Sequence, residues 1–150
     1  MLKLEKVINN TAYLIVMQSN NRTIPEVRIT IVYDNTVNSK LNEETKSFLK
    51  SDWGFSALVE SGNTKLLFDT GANKDILLNN MRVLNIDLEE INFVFLSHAH
   101  KDHYGGLFGF LDKNSNVSVF IPTGFSEEVK NKIIKYGASL VEFRKISTLL

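Results

Sequence analysis

The segment Leu96-Ser97-His98-Ala99-His100-Lys101-Asp102-His103-Tyr104-Gly105-Gly106 decides the predicted fold. An almost wholly apolar run, residues 91–96, leads into it and is typical of a buried strand. The apolar run 107–111 follows the two glycines and predicts a buried helix. All histidines of the chain therefore lie at a strand-to-helix turn, where α/β proteins usually build their sites.

The spacing of the histidines predicts metal binding. His98 and His100 are two positions apart, so in an extended backbone they share a face and can hold one ion. Asp102 and His103 follow as the chain turns and can face a second ion. Imidazole and carboxylate suit zinc, iron, manganese or cobalt, with zinc as the default. A single histidine is more often structural or exposed, but four donor residues within positions 98–103 disfavour that interpretation.

Two motifs resemble those of a known superfamily. Residues 98–103, HAHKDH, match the HxHxDH signature of the metallo-β-lactamases, and residues 68–71, FDTG, resemble the segment that precedes it there. Residues 32–36 (VYDNT) and 52–60 (DWGFSALVE) look like a subgroup that includes the dihydropterin–ribofuranosylaminobenzene phosphate synthases. The resemblance implies an α/β fold, the first part of a four-layer αβ/βα sandwich in which helices flank a mixed sheet.

The resemblance also implies roles for individual residues. His98 and His100 would hold the first of two divalent ions, zinc before manganese or iron, and Asp102 and His103 the second. Asp102 would also act catalytically, by orienting the nucleophile or transferring a proton. Asp69 would accept the free N–H of a ligand imidazole and so strengthen its other nitrogen as a ligand. The alternative for Asp69 is a simple cap of the next helix.

The later ligands of the superfamily have no counterpart in this chain. No histidine follows His103, and the carboxylates beyond it, Asp112, Glu127, Glu128 and Glu142, stand in no comparable motif. We therefore interpret residues 1–150 as a single domain that is incomplete at its C-terminus. Either the sequence is a fragment, or another polypeptide supplies the rest. That polypeptide can be a second copy of the chain.

The resemblance predicts a hydrolase-type enzyme that uses metal-activated water, or the related condensing activity on a pterin-bearing substrate. A redox enzyme of the flavodi-iron kind is disfavoured because its motif resembles HxExDH, with an acid at the position of His100. A mononuclear iron dioxygenase remains a minor alternative, since persulfide dioxygenases keep HxHxDH. The other alternative is a non-catalytic half-domain or subunit.

Composition restricts the partners. The chain has 150 residues, 43% of them hydrophobic, which is enough for one domain with a core. Seventeen basic and seventeen acidic residues cancel, so no overall field favours nucleic acid or membrane. The absence of cysteine excludes disulfides and thiolate ligands, and we expect a cytoplasmic protein. The expected substrate is a small molecule, phosphorylated or pterin-like.

Hydrophobic periodicity and turn residues predict the remaining elements. Strands are expected over residues 11–17, 26–33, 54–60, 65–69, 117–121 and 139–143, and helices over 43–49, 74–84 and 126–136. Residues 18–25 are expected to form a polar turn, and 34–53 a long connection that acts as a lid or as a surface excursion. Trp53 and Phe55, at its exit, are expected to pack in the core rather than line a pocket.

Overall fold

The strands of the protein form one mixed sheet. The computed structural model describes residues 26–144 and the backbone of residues 2–8, 12–19 and 22–23. Within this part of the chain the strands are β1 (Leu2–Ile8), β2 (Ala12–Ser19), β3 (Arg22–Thr23), β4 (Val27–Tyr33), β5 (Ser56–Ser61), β6 (Thr64–Phe68), β7 (Phe93–Phe95), β8 (Ser118–Pro122) and β9 (Ser139–Phe143). They are ordered β1-β2-β4-β5-β6-β7-β8-β9, with β3 paired to β2.

The direction of pairing changes at β6. Neighbouring strands are antiparallel from β1 to β6 and parallel from β6 to β9. Parallel neighbours need a crossover connection. Helices supply it between β6 and β9: α2 (Lys74–Val83), α3 (Lys101–Tyr104), α4 (Leu107–Leu111) and α5 (Glu127–Lys135), with a 3₁₀ turn at Leu88–Glu90. The remaining helix, α1 (Glu43–Phe48), lies in the connection between the antiparallel strands β4 and β5.

The core lies between the helices and one face of the parallel strands. Its strand residues alternate along the chain, as expected for one buried face. The buried cluster includes Leu67, Val94, Leu96, Val119 and Ile121 from the strands and Leu77, Met81, Leu107, Phe110 and Ile133 from the helices. This confirms the predicted mixed sheet with flanking helices.

The opposite face of the parallel strands carries a row of aromatic side chains, which we call the aromatic face. Register places Phe68, Phe95 and Phe120 side by side, and Phe93 and Phe143 lie on the same face. The rings of Phe68 and Phe95 stack at 5.4 Å between centroids, and those of Phe95 and Phe143 at 5.0 Å. All five are only partly buried, and none belongs to the core cluster.

Most predicted elements are present with small shifts at their ends. The predicted strands 54–60, 65–69 and 139–143 are confirmed as β5, β6 and β9, and Ser126 caps α5. The prediction of a polar turn over residues 18–25 was wrong in part, because β2 extends to Ser19 and β3 occupies Arg22–Thr23. Strand β1 was not predicted. Of the predicted strand 11–17, residue 11 lies outside the described residues, as does the apolar end of the chain, 145–150.

No helix in the described ranges is both long and apolar enough to cross a membrane.

Candidate metal centre

The candidate centre lies where two neighbouring parallel strands end. Phe68, the last residue of β6, pairs with Phe95, the last residue of β7. The chain that leaves β6 therefore brings Asp69 beside the chain that leaves β7, which carries Ser97 and His98. The backbone N–H of Asp69 donates to the carbonyl of Phe95 at 2.8 Å and joins the two strand ends directly.

Asp69 forms hydrogen bonds through its main chain and its side chain and is almost fully buried, with 1% of its surface exposed. Its φ of +54° lies in the left-handed region, which aspartate tolerates better than most residues. The hydroxyl of Ser56 donates to its carbonyl oxygen at 2.8 Å, and the backbone N–H of Ser97 donates to its Oδ1 at 2.8 Å. Asp69 does not cap α2, because Asn73 does so.

The carboxylate of Asp69 determines the proton positions on two histidines. Its Oδ2 lies 2.7 Å from His103 Nδ1 and 2.7 Å from the hydroxyl oxygen of Ser97, which in turn lies 2.9 Å from His98 Nδ1. A carboxylate only accepts, so His103 Nδ1 and Ser97 both donate to it. The Ser97 hydroxyl then accepts from His98 Nδ1. Each neutral imidazole is left with a free lone pair on Nε2.

The three imidazoles lie together. The ring centroid of His98 is 4.1 Å from that of His103 and 4.5 Å from that of His100. His103 Nε2 and Asp102 Oδ2 are 3.5 Å apart. In the part of the chain that the structure describes, however, no three or more histidine, aspartate or glutamate side chains converge closely enough to hold one ion.

The chemistry of these donors fits a divalent metal ion. His103 Nε2 and Asp102 Oδ2 are both acceptors, and two acceptors 3.5 Å apart repel each other unless a proton or a cation lies between them. His98 Nε2 and the exposed His100 ring, at the same turn, can also supply nitrogen to a metal ion. Imidazole nitrogen and carboxylate oxygen are common ligands of zinc. That these residues bind metal stays a prediction.

Backbone hydrogen bonds hold the turn against the segment after β6. The N–H of Thr70 donates to the carbonyl of His103 at 2.7 Å, and the N–H of Gly106 donates to that of Gly71 at 3.1 Å. A Cβ atom at Gly106 would lie 2.2 Å from the carbonyl oxygen of Thr70, and one at Gly105 would lie 2.2 Å from that of Ala72. The two glycines therefore permit this close backbone contact.

Trp53 does not pack in the core, so that prediction was wrong. Its side chain is 69% exposed, while Phe55 is partly buried and contacts Phe68 edge to face at 6.3 Å. The indole Nε1 of Trp53 donates to Asp102 Oδ2 at 3.1 Å. Apolar character alone predicted burial, whereas the polar edge of the indole has a hydrogen-bond partner at the protein surface.

The other residue that sequence reasoning missed is Ser97. It links Asp69 to His98, and its position directly before the first histidine was the only available signal. The long connection 34–53 contains α1, and part of it, which includes Leu49 and Lys50, lines a cavity of about 500 Å³ together with Asn80. None of the candidate metal ligands lines this cavity.

Solved structures with similar folds support the architecture. The metallo-β-lactamase fold protein YhfI of Bacillus subtilis aligns over 79% of this chain and 46% of its own, with 17% identity and a TM-score of 0.56. A Thermotoga maritima protein described by its likeness to metallo-β-lactamases aligns over 83% of this chain and 62% of its own, with 17% identity and a TM-score of 0.51. The chain therefore has the metallo-β-lactamase fold.

Curated relatives match over shorter stretches. The 7,8-dihydropterin-6-methyl-4-(β-D-ribofuranosyl)-aminobenzene-5′-phosphate synthase of Methanocaldococcus jannaschii is 39% identical over 75 residues, 47% of this chain and 26% of that enzyme. The ribonuclease Z of Nanoarchaeum equitans is 33% identical over 81 residues, 50% of this chain and 25% of that enzyme. The chain thus spans about a quarter of the length of these relatives, and the resemblance seen in its motifs is confirmed.

A protein-family model described as anti-Pycsar protein Apyc1 matches residues 44–148. The Apyc1 protein of Saccharibacillus brassicae is 38% identical over 61 residues, 41% of this chain and 24% of that protein. Because the family match includes the strand ends, the histidine turn and more than half of the chain, the protein belongs to the family of the anti-Pycsar protein Apyc1.

Proposed function

We propose that this chain carries the metal-binding part of a hydrolase that uses two divalent ions, zinc in the first place. The observation that supports the proposal is the contact of Asp69 with His103 Nδ1 and, through Ser97, with His98 Nδ1. A histidine whose tautomer and ring orientation are already fixed loses less conformational freedom when it binds a metal ion. Packing alone explains the buried carboxylate of Asp69 less well, because burial of a charged group is unfavourable.

The roles that we propose are those that the resemblance implies. His98 and His100 would supply nitrogen to the first ion, while His103 and Asp102 would supply nitrogen and oxygen to the second. Asp102 also receives or returns the proton of the attacking water, since its carboxylate is partly exposed beside the cluster. Asp69 and Ser97 hold the imidazoles in place. Divalent ions, when bound, act as Lewis acids and lower the pKa of water towards about 7.

The substrate that we propose is a small molecule with a carbonyl or phosphoryl centre, phosphorylated or pterin-like. Support comes from the relatives, whose names include a phosphate-containing pterin synthase, a ribonuclease and a hydroxyacylglutathione hydrolase. The test is a hydrolysis assay with bis(p-nitrophenyl) phosphate, a thioester and a lactone, each with zinc or manganese. We expect metal-dependent turnover that His98→Ala and His103→Ala abolish and that the exposed Asp75→Asn control keeps. Equal turnover in all four proteins would contradict the proposal.

A second candidate is a non-catalytic unit that needs further polypeptide to complete its metal site. It is favoured by the observation that no three donors converge among the described residues. Zinc titration calorimetry combined with the hydrolysis assay distinguishes this unit from the hydrolase. Weak binding without turnover on any of the three substrates supports the incomplete unit, whereas turnover by the 150-residue chain alone excludes it.

A further inference from the structure

The indole of Trp53 is tied to the metal-binding turn although most of its surface is exposed. Trp53 Nε1 donates to Asp102 Oδ2 at 3.1 Å, the same oxygen that lies 3.5 Å from His103 Nε2. A tryptophan that is 69% exposed contributes little hydrophobic stabilisation, so burial does not explain its position. The indole does, however, form a hydrogen bond with a candidate ligand.

The backbone around Trp53 delivers the indole to this place. The Trp53 N–H donates to its neighbour Asp52 Oδ1 at 2.7 Å, and the Phe55 N–H donates to the carbonyl of Asp102 at 3.2 Å. Gly54 lies so close to the turn that a Cβ atom there would be 2.5 Å from the Asp102 carbonyl oxygen. Asn35 Oδ1 accepts from the Gly54 N–H at 3.0 Å. The segment 52–55 is therefore held against both the main chain and the side chain of Asp102.

We propose that Trp53 is a positioning residue for Asp102. Its indole N–H holds one carboxylate oxygen and so fixes the rotation of the Asp102 side chain in the orientation that faces His103. A partly exposed aspartate otherwise samples several rotamers, and each would have to be given up when a ligand ion binds. This inference rests on the proposed function for its metal-binding consequence, while the hydrogen bond itself can be tested without metal.

The hydrogen bond can be tested in the metal-free protein because Trp53 is the single tryptophan of the chain. A ¹⁵N-labelled sample with chelator gives one indole N–H signal. Asp102→Ala should move this signal and make its exchange with solvent about tenfold faster, the factor expected for one lost hydrogen bond to a charged group. The exposed Asp75→Ala control should change neither. An indole signal that is unchanged in a folded Asp102→Ala protein overturns the proposal.

The consequence for metal binding is tested by zinc titration calorimetry. Trp53→Phe keeps an aromatic ring and removes the N–H, and it should weaken zinc binding about tenfold, the low end for partners of a ligand. In an Asp102→Ala background the same change should have no further effect, since the two residues act as one unit. Phe48→Leu, at another exposed aromatic, is the control and should not alter the affinity.

The outcomes separate this inference from the proposed function. If the wild-type protein binds zinc and Trp53→Phe binds it equally well, the positioning role is refuted while the metal centre stands. If the wild-type protein binds no zinc or manganese, the proposed function fails, and with it the consequence for metal binding. The indole signal of the metal-free protein still decides, in that case, whether Trp53 holds Asp102.

Discussion

Oδ2 of Asp69 lies 2.7 Å from Nδ1 of His103. Asp69 directly follows β6, while His103 lies in α3, the short helix that follows the neighbouring parallel strand β7. The pairing of β6 with β7 is thus what creates the contact, since the two residues are 34 positions apart in sequence. Asp69 is buried and His103 is partly exposed, so the carboxylate contacts the Nδ1 edge of the imidazole from the protein interior.

Asp69→Asn should weaken zinc binding by roughly 10–100-fold, because an amide does not fix the proton of the imidazole as a carboxylate does. Asparagine keeps the size of the side chain and tolerates the φ of +54° that Asp69 adopts, so the fold should persist. The measurement is zinc titration calorimetry, with circular dichroism to verify folding. Asp75→Asn, an exposed carboxylate on α2, is the matched control. Unchanged affinity in a folded Asp69→Asn protein would return Asp69 to a purely structural role.

Ser97→Ala should free the tautomer of His98 and leave the tautomer of His103 unchanged. The hydroxyl passes the influence of Asp69 on to His98 Nδ1, so its loss frees the His98 proton to move between the two ring nitrogens. Long-range ¹H–¹⁵N spectra of the imidazoles report this: the Nε2-unprotonated pattern should be kept by His103 and lost by His98. The exposed Ser51→Ala serves as control. If both histidines keep one tautomer in the Ser97→Ala protein, Ser97 does not transmit the effect of Asp69 to His98.

Much of the fold follows from local sequence signals. The hairpin between β5 and β6 follows from strand-forming residues on both sides of a turn at Gly62. Helix α5 follows from Ser126 as cap and from helical spacing of its apolar residues. These signals act within a few residues of each other, so a single sequence contains them. The candidate ligands were equally visible because all four lie within residues 98–103.

What could not be predicted depends on contacts between distant segments. Trp53 meets Asp102 across 49 positions, and no local pattern indicates that a tryptophan will remain exposed. The role of Ser97 depends on Asp69, which reaches it only after β6 and β7 pair. The backbone that Gly105 and Gly106 approach is that of Thr70 and Ala72, which a local sequence pattern does not indicate.

Gly106→Ala should destabilise the protein by about 1–3 kcal/mol, the usual cost of forcing an extra methyl group into a filled space. The added Cβ would lie 2.2 Å from the carbonyl oxygen of Thr70 and 2.9 Å from a methyl carbon of Leu77, so the histidine turn would have to move. Gly124→Ala is the control, since a Cβ there meets nothing within 4 Å, and its effect should stay within about 0.5 kcal/mol. Urea denaturation measures both. Equal stability of the two variants would show that the turn is looser than the structure indicates.

The aromatic face should behave as a surface that other polypeptide covers. Stacked phenylalanines that are only partly buried form an apolar patch of the kind that marks interaction sites in soluble proteins. We propose that the covering element is a further segment of a longer metallo-β-lactamase-fold domain. The isolated 150-residue chain should therefore bind the dye 8-anilinonaphthalene-1-sulfonate strongly. Phe95→Thr, in the middle of the row, should reduce that binding.

The control for this last prediction is Phe48→Thr, which removes an exposed phenylalanine from α1 and should leave dye binding unchanged. Light scattering on the same samples distinguishes the two ways of covering the face. A concentration-dependent dimer that Phe95→Thr dissociates would mean that a second copy covers it instead of a further segment. A monomer that binds no dye would contradict the prediction, because the phenylalanine row would then be protected by the chain itself.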